Sequence, residues 1–331
     1  MAKREQGKPR FARVLAVLAL WAAAAGLGAA PQAKLAWEAK GPPGDPLGYV
    51  GAVAVAPDGK VWAADASGRF FIFDEGGAFL ETWGSAGSGP GQFRFIVDTG
   101  QINWERDVSA EILFLPDGSF YVRDWGNNRV QRFSSARRFL GAFGSGESPG
   151  EAPTGIAVRN GNELLACFAG RTDLQRFSLE GAYRGSLVLD LVDVEFVQTT
   201  SGVAVDSAGT IYVATKFRGQ GGVRPRGRIL AFDPKGASRG LFGVQEAEFS
   251  GLSFDFFLRL GPDGRLYAAD EWNQRLIAFG ADRKPFFVYG EAGSGPGRFN
   301  RPSSLAFGPK GELYVADLLN RRIQKFILSG L

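Results

Sequence analysis

LAFGPKGELYVADLLNRRIQKF, Leu305–Phe326, holds two turns and three short apolar stretches in 22 residues. LAF leads into Gly-Pro-Lys-Gly, where proline presets φ and the last glycine accepts a positive φ, so the chain must reverse there. LYVAD follows at once and RIQKF a few residues later, both rich in the β-branched and aromatic side chains that fit a pleated surface. The same unit recurs along the chain. Its opening strand and turn appear as VAVAPDG (Val53–Gly59), ILFLPDG (Ile112–Gly118), IAVRNGN (Ile156–Asn162), VAVDSAG (Val203–Gly209) and LRLGPDG (Leu258–Gly264). Second strands read VWAAD, FYVRD, LLACF, IYVAT and LYAAD, and third strands RFFIF, RVQRF, DLQRF, RILAF and RLIAF. A fourth ends in an aromatic residue and glycine, as in Phe79–Gly84, Phe139–Gly144 and Phe286–Gly290.

Six units spaced 44 to 59 residues apart, each of four short antiparallel strands, have the size of propeller blades. The sixth unit stops at Leu331 without a fourth strand, while Leu35–Gly48 near the N-terminus echoes the fourth-strand segment Leu80–Phe93. The spacing therefore predicts an all-β, six-bladed propeller closed by an N-terminal strand pairing with the last blade, since closure protects edges that would otherwise aggregate.

LYVADLLNRRIQKF (Leu313–Phe326) and the linker GSGPGRFNRPSSLAF (Gly293–Phe307) resemble NHL repeats, and the resemblance extends over essentially all of Lys34 to Leu331. It implies a six-bladed propeller of the TolB-like type, in an exported bacterial form. The motif specifies a blade and leaves the chemistry open, because such folds host enzymes, RNA binders and scaffolds.

The composition narrows that chemistry. There is no histidine among the 331 residues, which removes imidazole bases, Ser-His-Asp catalysis and histidine-bound metals. The peptide-amidating and virginiamycin-type lyases that share the six-bladed form rely on histidine, so this chain does not work their way. Cys167 is the single cysteine, excluding an internal disulfide and a thiolate zinc site. It sits in a column of small residues and reads as a packing residue. The net charge of +4 resides in the first 13 residues, in Lys3, Arg4, Lys8, Arg10 and Arg13 less Glu5, and the rest of the chain is balanced. That basic head, the apolar run Val14–Ala25 and the small residues around Gly28–Ala30 form a signal-peptide pattern over 1–29, with cleavage after Ala29. An uncleaved anchor over Val14–Ala30 is the alternative. Either places one propeller domain, 30–331, outside the cytoplasm, in the periplasm or secreted.

Repeated charges read as architecture. An Asp closes the second strand and an Arg opens the third in four blades: Asp65 with Arg69, Asp124 with Arg129, Asp270 with Arg275, and Asp317 with Arg322. Blade three has Phe168 and Asp173 there. The opening Arg recurs also as Arg228 in blade four, and the loss of both residues in blade three predicts a pair across each loop that keeps them. Departures from the repeat are the candidates for function. Glu111 stands where other blades have Ala52, Gly155, Gly202, Phe257 and Ser304, and Arg123 stands in the small column of Ala64, Cys167, Ala214, Ala269 and Ala316. Arg259 replaces a residue that is elsewhere Ala or Leu, and Asp255 precedes its strand. Blades two and five lie opposite one another in a six-membered ring, so Glu111, Asp255 and Arg259 are expected to converge on the central channel. Glu111 and Asp255 are the expected ligands if a metal is bound.

Long connections concentrate on one face, the one carrying the second-to-third-strand and blade-to-blade loops: Phe93–Val108, Leu187–Thr200, Lys216–Gly227 and Gly243–Phe254. They mix Phe95, Trp104, Phe196 and Phe249 with Glu105, Asp107, Asp193, Glu195, Glu246 and Glu248. Aromatics among charges suit a binding surface. A basic, glycine-rich loop adds Lys216, Arg218, Arg224, Arg226 and Arg228. The reading is a non-catalytic module with no cofactor, holding a protein, peptide or glycan of the cell envelope on that face. A calcium- or other divalent-metal-dependent lactonase of the gluconolactonase-like group is the alternative, and a neutral body disfavours nucleic acid.

Overall fold

The computed structural model describes residues 31–96, 108–144, 146, 150–191, 197–217, 226–242, 251–253 and 255–330. The leader therefore lies outside the described residues, and among those described no helix is long and apolar enough to cross a membrane. Six four-stranded antiparallel sheets form the blades of a ring. Their innermost strands are Val50–Val55, Ala110–Phe114, Pro153–Arg159, Val197–Val205, Phe256–Leu260 and Pro302–Phe307, for blades one to six. Blade six takes its outermost strand from the N-terminal segment Gln32–Ala39, which pairs antiparallel with Arg322–Ser329 from Gln32↔Ser329 to Ala39↔Ile323.

The second strand of each blade is apolar without alternation because it is covered on both sides. In Val61–Asp65, Trp62 and Ala64 belong to the cluster shared with blade two, while Val61 and Ala63 belong to the one shared with blade six. The same division holds around the ring. Six hydrophobic clusters among the described residues occupy the six seams between neighbouring blades. The seam between blades one and two is the most aromatic, with Trp62, Phe70, Trp83, Phe93, Phe95, Phe120 and Phe133 in mutual ring contact.

Phe95, expected on the binding face, belongs to this seam. It is fully buried, stacked on Phe93 at 5.4 Å and edge-on to Phe70 at 5.5 Å. Aromatic rings bury 150–250 Å² each, and Phe93 and Phe95, twelve residues or fewer past the strand that ends at Trp83, pack back into the seam between blades one and two.

The expected loop pairs form in three blades. Arg129 donates from Nε to Asp124 at 2.8 Å, Arg275 to Asp270 at 2.9 Å and Arg322 to Asp317 at 2.9 Å. An Asn three residues after each Asp, Asn127, Asn273 or Asn320, donates to the same carboxylate. Each Asp also accepts a backbone N–H from the incoming connection, that of Arg94, Ser253 or Asn300.

These arginines do more than the expected one-to-one pairing. Arg129 also donates to the Gly89 and Gln92 carbonyls, at 2.9 and 3.0 Å, and Arg275 to the Gly251 carbonyl at 2.6 Å. A guanidinium carries five N–H donors in a rigid fork, so a single carboxylate does not satisfy it and the rest reach the connection overhead. Each loop staple thus ties the entry strand's approach to its own blade. Arg129 and Arg275 keep some contact with solvent, whereas Arg322 is buried, since Glu38 of the closing N-terminal strand takes its Nη1.

Blade one departs from the expected pairing. Arg69 forms a two-pronged bond with Asp45, at 2.8 and 2.9 Å, and Asp65 instead accepts from the Gly48 N–H and from Ser67. Its loop is one residue shorter than the others and has no Asn, so the guanidinium is not folded back onto Asp65. In blade three, Arg171 pairs with Asp173 at 2.8 Å.

Candidate functional site

The innermost strands set the geometry of the channel. In blades one, three, four and six they carry a β-bulge against the second strand, at Gly51, Thr154, Ser201 and Ser303. A bulge adds one residue and re-aims its side chain. Two of the hydroxyls stitch neighbouring blades: Thr154 donates to the Thr200 carbonyl at 2.9 Å and Ser303 to the Val50 carbonyl at 2.8 Å. Blades two and five have no bulge, running Ala110↔Asp124, Glu111↔Arg123 and Phe256↔Asp270, Phe257↔Ala269 in register. These two opposite blades carry the residues that depart from the repeat.

Glu111 and Arg259 meet, with Oε1 of Glu111 3.7 Å from an Arg259 terminal nitrogen, so the pair spans the channel between blades two and five. Arg123 lies against the other Glu111 oxygen, Nε to Oε2 at 3.5 Å, and its terminal nitrogens donate to the Ser109 hydroxyl and the Ala110 carbonyl at 2.8 Å each. The Ile156 N–H donates to Glu111 Oε2 at 3.2 Å. Glu111 is only 4 % exposed. Burial pushes its carboxyl above the ordinary range, opposed by the two guanidiniums. Arg259 also lies over the Phe257 ring at 5.0 Å.

Asp255 does not join this group. It pairs with Lys216 of blade four and accepts the Trp272 indole N–H at 3.1 Å, at the rim of the channel. The expected convergence therefore divides into a closed triad in the channel and a separate pair at its mouth, because Asp255 precedes its strand and stays at rim height. The two proposed metal ligands each face cations: Glu111 has Arg123 and Arg259, and Asp255 has Lys216. That donor set does not fit a divalent ion. Among the described residues no three His, Cys, Asp or Glu side chains cluster as a metal site. Cys167 is buried beside the triad, and burial pushes its thiol up to about 12, so it is a packing residue rather than a nucleophile.

Above the triad a cavity of about 220 Å³ opens on the face of the long connections. Arg123 reaches its wall. One side, from blades one, two and six, carries Trp125 and the largely buried Val108 and Leu318, together with Ser109, Arg123 and Ser303. The other side, from blades four to six, carries the charged Lys216, Asp255, Glu271 and Arg301 together with Phe256 and Phe257. Arg129 and Arg275 do not line it, their guanidiniums being turned onto the loop Asp and the connection above each blade. Arg301 donates from Nε to Glu271 at 2.6 Å, and its guanidinium lies 4.5 Å over the Trp272 ring. Its backbone has φ 63, a left-handed conformation that it shares with turn residues such as Asn128, Asn160 and Gln274. Trp272 retains 41 % exposure.

Trp125, Glu271 and Leu318 occupy one repeat column, the residue after the loop Asp, and sequence reading passed over that column. Its signal was available: three neighbours of repeated Asp residues differ completely in character. Trp104, Glu105, Asp107, Asp193, Glu195, Phe196, Arg218, Arg224, Glu246, Glu248 and Phe249 lie outside the described residues. Arg226 is placed as backbone of the third strand of blade four, opposite Phe217.

Comparison with known proteins agrees with this architecture. The family model for the NHL repeat matches residues 299–326. No curated protein matches the sequence. A streptogramin B lyase structure superposes with TM-score 0.57 at 11 % identity, covering 90 % of this chain and 98 % of that one. A structural genomics protein of unknown function from Bacteroides thetaiotaomicron gives TM-score 0.62 at 14 % identity, over 91 % and 76 %. A catalytically inactive His-to-Ala variant of virginiamycin B lyase from Staphylococcus aureus, with quinupristin, gives 0.51 at 12 % identity, over 90 % and 87 %. At these identities the likeness is one of fold. The protein is a six-bladed β-propeller. The match to the NHL repeat falls in its last blade, over residues 299–326.

Proposed function

We propose that this protein is a non-catalytic binding module of the cell envelope, holding a protein, peptide or glycan partner over the channel mouth. The observation that carries the reading is the cavity of about 220 Å³ whose acidic groups are each matched by a basic one. Such a wall orients a ligand through fixed donors and acceptors. Among the described residues it offers no unmatched carboxylate to act as a base, and the chain has no histidine to replace one. In the S. aureus lyase a His-to-Ala change gives a catalytically inactive protein, and a chain without histidine does not inherit that chemistry from the fold. Action outside the cytoplasm rests on the basic-then-apolar pattern of residues 1–29.

A metal-dependent hydrolase would need Glu111 or Asp255 released from its cations, and no observation favours that reading. The test is photo-cross-linking in cells from a benzoylphenylalanine placed at Trp272, against the same group placed at Lys60 on the opposite face. Adducts from position 272 alone are expected. Equal adducts from both positions, or none from either, would contradict a binding face at the channel mouth.

A further inference from the structure

The cavity sets one indole across from two ion pairs. Trp125, from blade two, and Glu271, from the opposite blade five, occupy equivalent positions on facing walls. A ligand between them meets the Trp125 indole on one side. On the other it meets two ion pairs, Lys216–Asp255 and Arg301–Glu271. Aromatic faces reward stacking of an apolar surface, and carboxylate–cation pairs held in place present donors and acceptors side by side. Asp255 is poised for this: Lys216 engages one oxygen and the Trp272 indole N–H the other, while each carboxylate oxygen has two acceptor positions.

Each carboxylate of the described wall is engaged by a cation, and its third cation, Arg123, is held by Glu111 beneath, so the described wall makes no strong demand for an ionic ligand. It suits a neutral molecule with one C–H face and an edge of hydroxyl groups. Size sets a further limit. At about 220 Å³ the cavity lies below the roughly 300–1,000 Å³ of sites that take drug-sized ligands, a size that suits one ring.

We infer that the channel mouth binds a single pyranose ring, such as the terminal sugar of a glycan, stacked on Trp125 and hydrogen-bonded through its hydroxyls to the Lys216–Asp255 and Arg301–Glu271 pairs. This rests on the binding-module reading and names its ligand class. Burial of the ring's C–H face against Trp125 supplies affinity, and the paired charges select the arrangement of hydroxyls. Glu111, Arg123 and Arg259 meet across the channel beneath.

The test uses the full chain with methyl glucopyranoside, methyl galactopyranoside, methyl mannopyranoside and N-acetylglucosamine as probes. Saturation-transfer NMR and tryptophan fluorescence are followed up to about 50 mM, where even a weak single-ring complex is filled. At least one probe should bind saturably, with transfer strongest to its ring C–H protons. Trp125→Ala and Asp255→Asn should each weaken binding about tenfold or more, and Asp58→Asn, on the opposite face, should leave it unchanged. Thermal midpoints of the variants verify that each is folded. Saturation by none of the probes, or equal affinity in Trp125→Ala and Asp255→Asn, would overturn the assignment. The two readings fail separately: cross-linking from position 272 without pyranoside binding removes the sugar and keeps the face, whereas loss of both removes the face as well.

Discussion

Glu111 faces two guanidiniums from inside the ring, and removing its charge leaves both without their counter-ion. Breaking a buried pair in this way costs about 3–5 kcal/mol, more than the net worth of the pair itself, because desolvated charge is left behind. Glu111→Gln should therefore lower the unfolding free energy by about 3 kcal/mol in urea titration, the partial exposure of Arg259 keeping it at the lower end. The sequence singled out Glu111, Arg123 and Arg259 as departures from the repeat, and the two that meet across the channel do so because they come from opposite blades. It misplaced Asp255, since repeat columns give position along a strand but not height at its end. For Arg129 and Arg275 the repeat showed the carboxylate partner but not the carbonyls of the connection, which carry no side-chain signature. A second residue-scale prediction concerns Asp45. Its bonds from Arg69 hold the carboxyl below the usual carboxylate range. A depressed folded value means that the contribution to stability is present above the ordinary value of 3.8 and is lost as pH falls through the folded one. Carbon-detected NMR should find Asp45 titrating below normal and Arg69→Gln should restore it. An unchanged Asp45 titration in that variant would refute the pairing.

At the level of strands, the approach of neighbouring blades at the channel depends on missing side chains. A Cβ on Gly155 would stand 2.6 Å from the Gly202 Cα of the next blade. Gly155→Ala must push the innermost strands of blades three and four apart, and overpacking of this kind costs about 1–3 kcal/mol. A loss in that range, by denaturant unfolding, is expected, and a neutral result would show that the seam is looser than the packing indicates. Strand order and turns were legible because Pro-Asp-Gly chemistry and apolar runs are local signals. Blade three shows the mechanism varying beneath them: its turn uses Asn160 and Gly161 at positive φ in place of a single glycine. The bulges were not legible, since one added residue beside a Gly, Ser or Thr leaves no periodic trace. Phe95 was misassigned for a related reason, as nothing in the sequence marks where a connection stops packing and begins to emerge.

Over the whole molecule, stability is distributed among six equivalent seams, and the ring holds only if all are closed. Blade six is completed by Gln32–Ala39, with Glu38 bonded to Arg322 at 2.7 Å. Deleting that strand exposes the edge of Arg322–Ser329 and should convert a cooperative thermal transition into aggregation at lower temperature, as light scattering would record. Ring closure was readable from the missing fourth strand at one end and its echo at the other. The use of the mouth was not, because a pocket built from single residues of several blades has no contiguous motif. The most direct measurement is thermal unfolding of the full chain in EDTA and then in excess calcium, magnesium or manganese. A binding module whose carboxylates are held by Arg123, Arg259 and Lys216 predicts the same midpoint in every buffer. An ion present at a hundred times its Kd would add about 2.7 kcal/mol, a rise of roughly 4 °C for a chain of this size, and such a rise abolished by Glu111→Gln or Asp255→Asn would contradict that reading in favour of a metal-dependent enzyme.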